Sequence, residues 1–173
     1  MAKEDDDIIL VSREMFAFGE INEEFGKRLT RDLLLLKSDK KAPLTIYLSS
    51  GGGDLGLSLG LYDLILAQPF DITIVGVGEV CSGASIILQA ADRRILTNNS
   101  VLMLHSAALE SESTGLKNLK SLHDITSIMS ERMLDIYISK TGKSRQVLNT
   151  KLEKDWYLTA DEALEENLID EKF

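Results

Sequence analysis

Gly76-Val77-Gly78-Glu79-Val80-Cys81-Ser82-Gly83-Ala84-Ser85-Ile86-Ile87-Leu88 runs from a β-type segment into an apolar helical one, with Ser82 at the junction. The residues just before it, Asp71-Ile72-Thr73-Ile74-Val75, are rich in β-branched side chains and predict a buried strand over 71–77. A strand that hands over directly to a buried helix is the mark of a parallel sheet, because parallel strands need crossover connections. The hydroxyl of Ser82 then sits at the positive end of a helix, with a small residue behind it that leaves room for a carbonyl group to approach.

The same alternation extends in both directions. Segments 7–11 and 15–18 are short strand candidates, and 22–37 carries Phe25, Leu29, Leu33 and Leu36 at helical spacing. After a turn at 39–43, the strand 44–48 ends in Ser49-Ser50-Gly51-Gly52-Gly53, and 55–67 reads as a helix stopped by Pro69. Two β-rich stretches surround Ile95 and Leu102, and the rest is helical. A long helix over 116–140 is stopped by Thr141-Gly142, and Thr159-Ala160-Asp161-Glu162 is a capping box that opens a last short helix. Strands linked by crossover helices imply an α/β fold with a largely parallel sheet covered on both faces, in which sites gather at the carboxyl ends of strands.

Composition bounds the setting. A chain of 173 residues with 44% hydrophobic content suits a single domain spanning the whole of it. The single cysteine, Cys81, excludes an intramolecular disulfide framework. The start Met1-Ala2-Lys3-Glu4-Asp5-Asp6-Asp7 has neither the basic region nor the apolar core of a signal peptide, and no apolar run approaches a membrane span. A soluble cytoplasmic protein is the expectation, with no membrane partner. A net charge of -9 lacks the basic footprint of a nucleic-acid binder.

Gly51, Gly53 and Gly56 spell G-x-G-x-x-G after a strand and before a helix, the local context of a dinucleotide-binding turn. The acidic residue due about 20 positions on would be Asp71. It opens the next strand, whereas ribose recognition needs it at that strand's end. No lysine follows the glycines, so a phosphate-gripping loop is unsupported as well. A tight turn that needs positive φ accounts for the glycines alone.

The chain has two histidines, and His105 closes the apolar strand Val101-Leu102-Met103-Leu104 at the same edge of the sheet as Ser82. An imidazole that is to take a serine proton needs a carboxylate on its far nitrogen. Among 28 acidic residues, Asp155 stands out because it lies beside the only tryptophan, in what reads as a loop between helices. Taken alone, Ser82 suits a helix N-cap and His105 a satisfied strand-end histidine. His123 reads as a structural or surface residue, Cys81 as core packing, and Ser85 and Ser106 as poor nucleophiles because neither starts a helix with a glycine after it.

Four motifs in order resemble the ClpP family, the proteolytic subunits of ATP-dependent Clp proteases (peptidase family S14), within the crotonase-like fold. Ile46-Tyr47-Leu48-Ser49-Ser50-Gly51-Gly52-Gly53 is similar to Y-I-N-S-P-G-G, and Val77-Gly78-Glu79-Val80-Cys81-Ser82 to G-x-A-A-S. Asn99-Ser100-Val101-Leu102-Met103-Leu104-His105 resembles N-S-x-x-M-I-H, and the segment from Lys154 to Ala163 resembles R-D-x-x-x-S-A-x-E-A. The likeness covers about 15–170 and includes Leu33 to Ser38 and Leu61-Tyr62-Asp63.

The resemblance implies repeated β-β-α units with a projecting handle helix near 116–140. It implies a serine endopeptidase in which Ser82 is the nucleophile, His105 the general base and Asp155 its orienting carboxylate, with the Gly53 and Gly83 amides forming the oxyanion hole. It further implies heptameric rings, paired into a tetradecamer, an AAA+ unfoldase partner docking near Tyr47, unfolded polypeptide substrates, and no metal or organic cofactor. The chain departs from the pattern at Gly83 (usually methionine), Gly51 (usually proline), Ser106-Ala107 after the histidine, the 109–115 segment, and Lys154 in place of arginine. The family's pore-lining N-terminal segment reads as largely missing, as a divergent or viral copy would have it. Two rival readings keep the fold: a structural ring subunit with little catalysis, and a phage-type maturation protease.

Overall fold

The computed structural model describes residues 13–36, 42–107 and 116–173. The expected strand at 7–11, most of the turn at 39–43 and the departing segment 109–115 lie outside the described residues. In chain order the elements are β1 (Glu14–Phe18), α1 (Glu23–Leu36), β2 (Leu44–Ser50), α2 (Leu55–Leu66), β3 (Ile72–Cys81), α3 (Gly83–Leu88), β4 (Arg93–Leu96), β5 (Val101–Leu104), α4 (Leu116–Thr141), α5 (Arg145–Leu152), β6 (Trp156–Thr159), α6 (Ala160–Glu165) and β7 (Glu171–Lys172). The sheet order is β1-β2-β3-β4-β7, with β5 and β6 branching off β3.

Helix α1 forms where the spacing predicts it. Phe25, Leu29, Leu33 and Leu36 are all buried, and the Asn22 side chain accepts a bond from the Phe25 amide at 3.1 Å. The capping box forms as well: Thr159 and Glu162 exchange side-chain to backbone bonds at the start of α6. Gly142, at φ +67°, closes α4 through its amide to the Ile138 carbonyl at 2.9 Å. From Lys120 through Thr126 the side chains of α4 are mostly exposed, while Met133, Leu134 and Tyr137 are buried.

The strand expected over 71–77 runs on to Cys81. The first half of β3 pairs with β4, Thr73 with Arg93 through Gly76 with Leu96. Its second half pairs with β5, Glu79 with Val101 through Cys81 with Met103. Between the two lies a break: the register with β2 shifts between Leu48 and Ser50, and Gly78 takes φ +72°. This bend lets one edge of β3 carry two ladders in succession, with β4 and then with β5, while the other edge stays on β2. All ladders are parallel except β5 with β6, so the largely parallel sheet holds, with one antiparallel corner. Asp155 therefore precedes a strand and does not lie between two helices. Trp156-Tyr157-Leu158-Thr159 is short, and the helix on either side masks its β-type residues in a sequence reading.

The C-terminal turn is tied to the sheet by one buried arginine. Arg94, 8% exposed, donates through Nε to Asp170 Oδ2 at 3.0 Å and through Nη2 to Oδ1 at 2.5 Å. Its Nη1 donates to Gln89 Oε1 and to the Asn167 carbonyl. Partial burial raises the Asp170 pKa, but the bonds from Arg94 and its charge outweigh this and hold the carboxyl below the ordinary value of 3.8. Because the folded-state value is depressed, the stabilisation is present above pH 3.8 and is lost as pH falls through the folded value. Asp170→Ala strands the guanidinium and should cost roughly 2–4 kcal/mol at neutral pH, discounted for the half-exposed carboxylate. In urea melts the gap between this variant and the wild type should narrow as the pH drops below 3.8; a gap independent of pH would rule out the ion pair as its source.

Candidate active site

Three strand ends converge because of the β3 bend. The last pair of the β3–β5 ladder, Cys81 with Met103, leaves Ser82 and His105 emerging side by side. The Ser82 amide donates to the Met103 carbonyl at 2.8 Å, fixing that end. The antiparallel β5–β6 register, which pairs Leu104 with Trp156, carries one step further to set Asp155 opposite His105. The Ser106 amide donates to the Leu152 carbonyl at 3.0 Å, which anchors the chain after the histidine to α5.

The structure brings the three side chains together with unequal tightness. Ser82 Oγ lies 2.7 Å from His105 Nε2, a full hydrogen bond. His105 Nδ1 lies 4.0 Å from Asp155 Oδ1, within ion-pair range and outside hydrogen-bond distance. The Asp155 side chain is 55% exposed and that of His105 30%. The Ser82 hydroxyl is therefore within direct hydrogen-bond reach of the imidazole, whereas the Asp155 carboxylate is not.

Ser82 occupies φ 53°, ψ −121°, a region that costs a non-glycine residue about 1–3 kcal/mol. That conformation lifts its side chain out of the α3 cap, and its hydroxyl makes no capping bond. The N-cap reading of Ser82 thus gives way to a strained junction that presents the hydroxyl to a cavity.

The glycine turn after β2 packs onto this junction. Gly52 and Gly53 take φ +105° and +147°. A Cβ at Gly52 would fall 2.6 Å from Ser82 Cβ, and one at Gly53 would fall 2.3 Å from the Ile21 carbonyl oxygen. Close approach, as well as positive φ, explains these glycines. The Gly52 carbonyl accepts from the Ile21 amide, and the Asp54 amide donates to the Ile21 carbonyl, each at 2.8 Å. In this parallel bridge the amide of Gly53 itself points away from Ile21. Gly83 opens α3, so its amide has no acceptor within the helix. The unusual glycine at 83 has a local cause: a Cβ there would lie 2.2 Å from Ser58 Oγ, a buried hydroxyl bonded to the Asp54 carbonyl.

These groups line one cavity of about 800 Å3. Ser82, His105, Gly53 and Gly83 share it with an apolar wall that includes Leu57, Ile86 and Met133, and with an acidic rim of Glu20, Glu23 and Asp54. Burial, followed by the charges of Glu79 and Asp155, pushes the Cys81 thiol pKa up, as suits core packing rather than a thiolate nucleophile. His123 is exposed on α4 beside Asp124. Ser85 is fully buried, and Ser106 is exposed. Sequence reasoning singled out the residues of the cavity floor but missed Ser58 and Met133, whose helices meet the site only through packing. Among the described residues no group of histidine, cysteine and carboxylate side chains could hold a metal ion, and no helix is long and apolar enough to cross a membrane.

The family model of Clp protease matches residues 3–172. The ATP-dependent Clp protease proteolytic subunit 2 of Treponema denticola is 31% identical over 176 residues, covering 95% of this chain and 86% of that protein. Proteolytic subunit 1 of Leifsonia xyli subsp. xyli is 28% identical over 167 residues, covering 95% and 84%. Among solved structures, a point mutant of ClpP1 from Listeria monocytogenes superposes with a TM-score of 0.85 at 25% identity, over 99% of this chain and 95% of that one. The fold is thus the crotonase-like architecture of ClpP, and the chain belongs to the Clp protease family.

Proposed function

We propose that this chain is a serine endopeptidase that cleaves unfolded polypeptides inside a ring-shaped chamber. The observation that carries this reading is the 2.7 Å bond from the strained Ser82 to His105 in a cavity large enough for a peptide. Ser82 Oγ attacks the scissile carbonyl carbon while its proton passes to His105 Nε2. The oxygen of the tetrahedral intermediate takes its negative charge between the Gly53 and Gly83 amides, each worth about 3–4 kcal/mol. The imidazolium gives its proton to the leaving amine, and water, deprotonated by the same ring, releases the acyl group. The charge of Asp155, 4.0 Å from Nδ1, favours the cation and the orientation that turns Nδ1 toward it.

Exposed apolar surface supports assembly into rings. Ile125 and Ile128 on α4 are 44% and 57% exposed, the kind of surface that a second ring would cover. Phe16 stacks on Tyr47 at 5.5 Å between ring centroids, with Phe18 edge-on to Phe16 at 6.0 Å; this aromatic group suits an AAA+ unfoldase. The whole chain would act as one protease domain with α4 as the handle of a heptameric ring or of two such rings. The 4.0 Å gap at Asp155 favours a second reading, a ring subunit of low intrinsic activity.

Labelling with a fluorophosphonate should modify Ser82, and native mass measurement should find the label in heptameric or double-heptameric particles. Ser82→Ala should lose labelling and about 10⁴-fold or more in kcat with the fold intact. Labelling that survives this substitution, or full activity in a monomer, contradicts the assignment. Asp155→Asn should cost less, about 10- to 100-fold in kcat, because the carboxylate is exposed and out of hydrogen-bond reach. A loss within twofold would mean that Asp155 does not orient His105 and would favour the second reading.

A further inference from the structure

Two buried hydroxyls beside the site have no part in the mechanism above. Tyr137, on the inner half of α4, is 1% exposed, and Ser85, one turn into α3, is fully buried. A phenol in an apolar core needs a partner. Tyr137 finds one in Ser85 Oγ at 2.6 Å, and Ser85 Oγ lies 2.6 Å from the carbonyl oxygen of Ser82. A carbonyl only accepts, so Ser85 must donate to it. With its one proton committed there, Ser85 can only accept from Tyr137. The direction of the chain is therefore set, from the Tyr137 hydroxyl to the Ser85 hydroxyl to the Ser82 carbonyl. The Ser85 amide also donates to that carbonyl, at 2.9 Å.

The Ser82 carbonyl and the Gly83 amide are opposite ends of one planar, trans peptide group. Whatever holds the oxygen also sets where the hydrogen points. Hydrogen bonds accepted by the oxygen pull electron density from the nitrogen and make its hydrogen a better donor. We infer that Tyr137 and Ser85 are positioning residues: they aim and polarise the Gly83 amide at the oxyanion of the reacting peptide, from a helix that also lends Met133 to the cavity wall. This rests on Ser82 being the nucleophile and adds to it two residues that never touch substrate. The strained backbone of Ser82 makes such outside support necessary, since no local preference holds that peptide plane in place. Had the pair only a packing role, losing it would change stability and leave the rate per active site alone.

The test compares Tyr137→Phe, Ser85→Ala, the double variant and Ser82→Ala in the assembled protein. Each is measured by active-site titration, thermal melting, kcat and KM on a short fluorogenic peptide, and inhibition by a peptide aldehyde, whose adduct places an oxyanion in the hole. Removing an oxyanion donor outright costs about 10²- to 10³-fold. Loss of polarisation and aim should forfeit about a third of that on a logarithmic scale, or roughly five- to tenfold in kcat per titrated site, with KM unchanged. The aldehyde should weaken by the same factor, while an unreactive peptide of the same sequence binds as before. The double variant removes both hydroxyls, leaves no unpaired polar group, and should regain stability relative to Ser85→Ala without regaining rate. If kcat per titrated site stays within twofold in the double variant, the relay has no positioning role. If Ser82→Ala retains activity, the nucleophile itself is misassigned, an outcome that the relay variants cannot mimic.

Discussion

Everything at the site depends on holding Ser82 in a backbone conformation that serine does not choose. At φ 53°, ψ −121°, the residue would relax into the helix or the strand if either neighbour allowed it. Its amide is bound to Met103 on β5, and its carbonyl is bound twice by Ser85. Gly52 and Gly83 supply the space on either side, each at a place where a Cβ would strike Ser82 or Ser58. Strain of this kind survives only where the surroundings over-determine it. Here the result is a hydroxyl lifted off the helix cap and set against an imidazole.

The bend in β3 does for the fold what that torsion does for the residue. If β3 were straight and paired with β4 throughout, Ser82 and His105 would leave the sheet on different ladders. The register shift beside Leu48 and the turn at Gly78 let its second half join β5. The antiparallel β6 then returns Asp155 to the same corner. One irregularity thus brings together three side chains that lie far apart in sequence. Asp155, at the open edge of that corner, is the least constrained of the three.

Much of this was legible in the chain, for identifiable reasons. Helix α1 shows its apolar period, α6 its capping box, and α4 its glycine stop, all of them local signals. His105 closes a run of apolar residues, so its place at a strand end could be read directly, and the apolar helical run after Ser82 marks that residue as a strand-to-helix junction. The continuation of β3 to Cys81 could not, because Gly78-Glu79 interrupts the pattern and the partner strand lies more than 20 residues away. Strand β6 was hidden by its brevity, and so Asp155 could be selected only for its tryptophan neighbour and its motif. The Tyr137–Ser85 bond joins residues 52 positions apart. A tyrosine among the apolar positions of a helix looks like core, and only the folded geometry pairs its hydroxyl.

The central claim is geometric, so the most direct measurement is a structure of the assembled protein with a peptide boronate bound. The account predicts boron bonded to Ser82 Oγ, with one boronate oxygen about 2.7–3.1 Å from both the Gly53 and Gly83 amide nitrogens. His105 Nε2 should face the other boronate oxygen. Boron bonded to a different side chain, or an adduct at Ser82 whose oxygens reach neither amide, would contradict it.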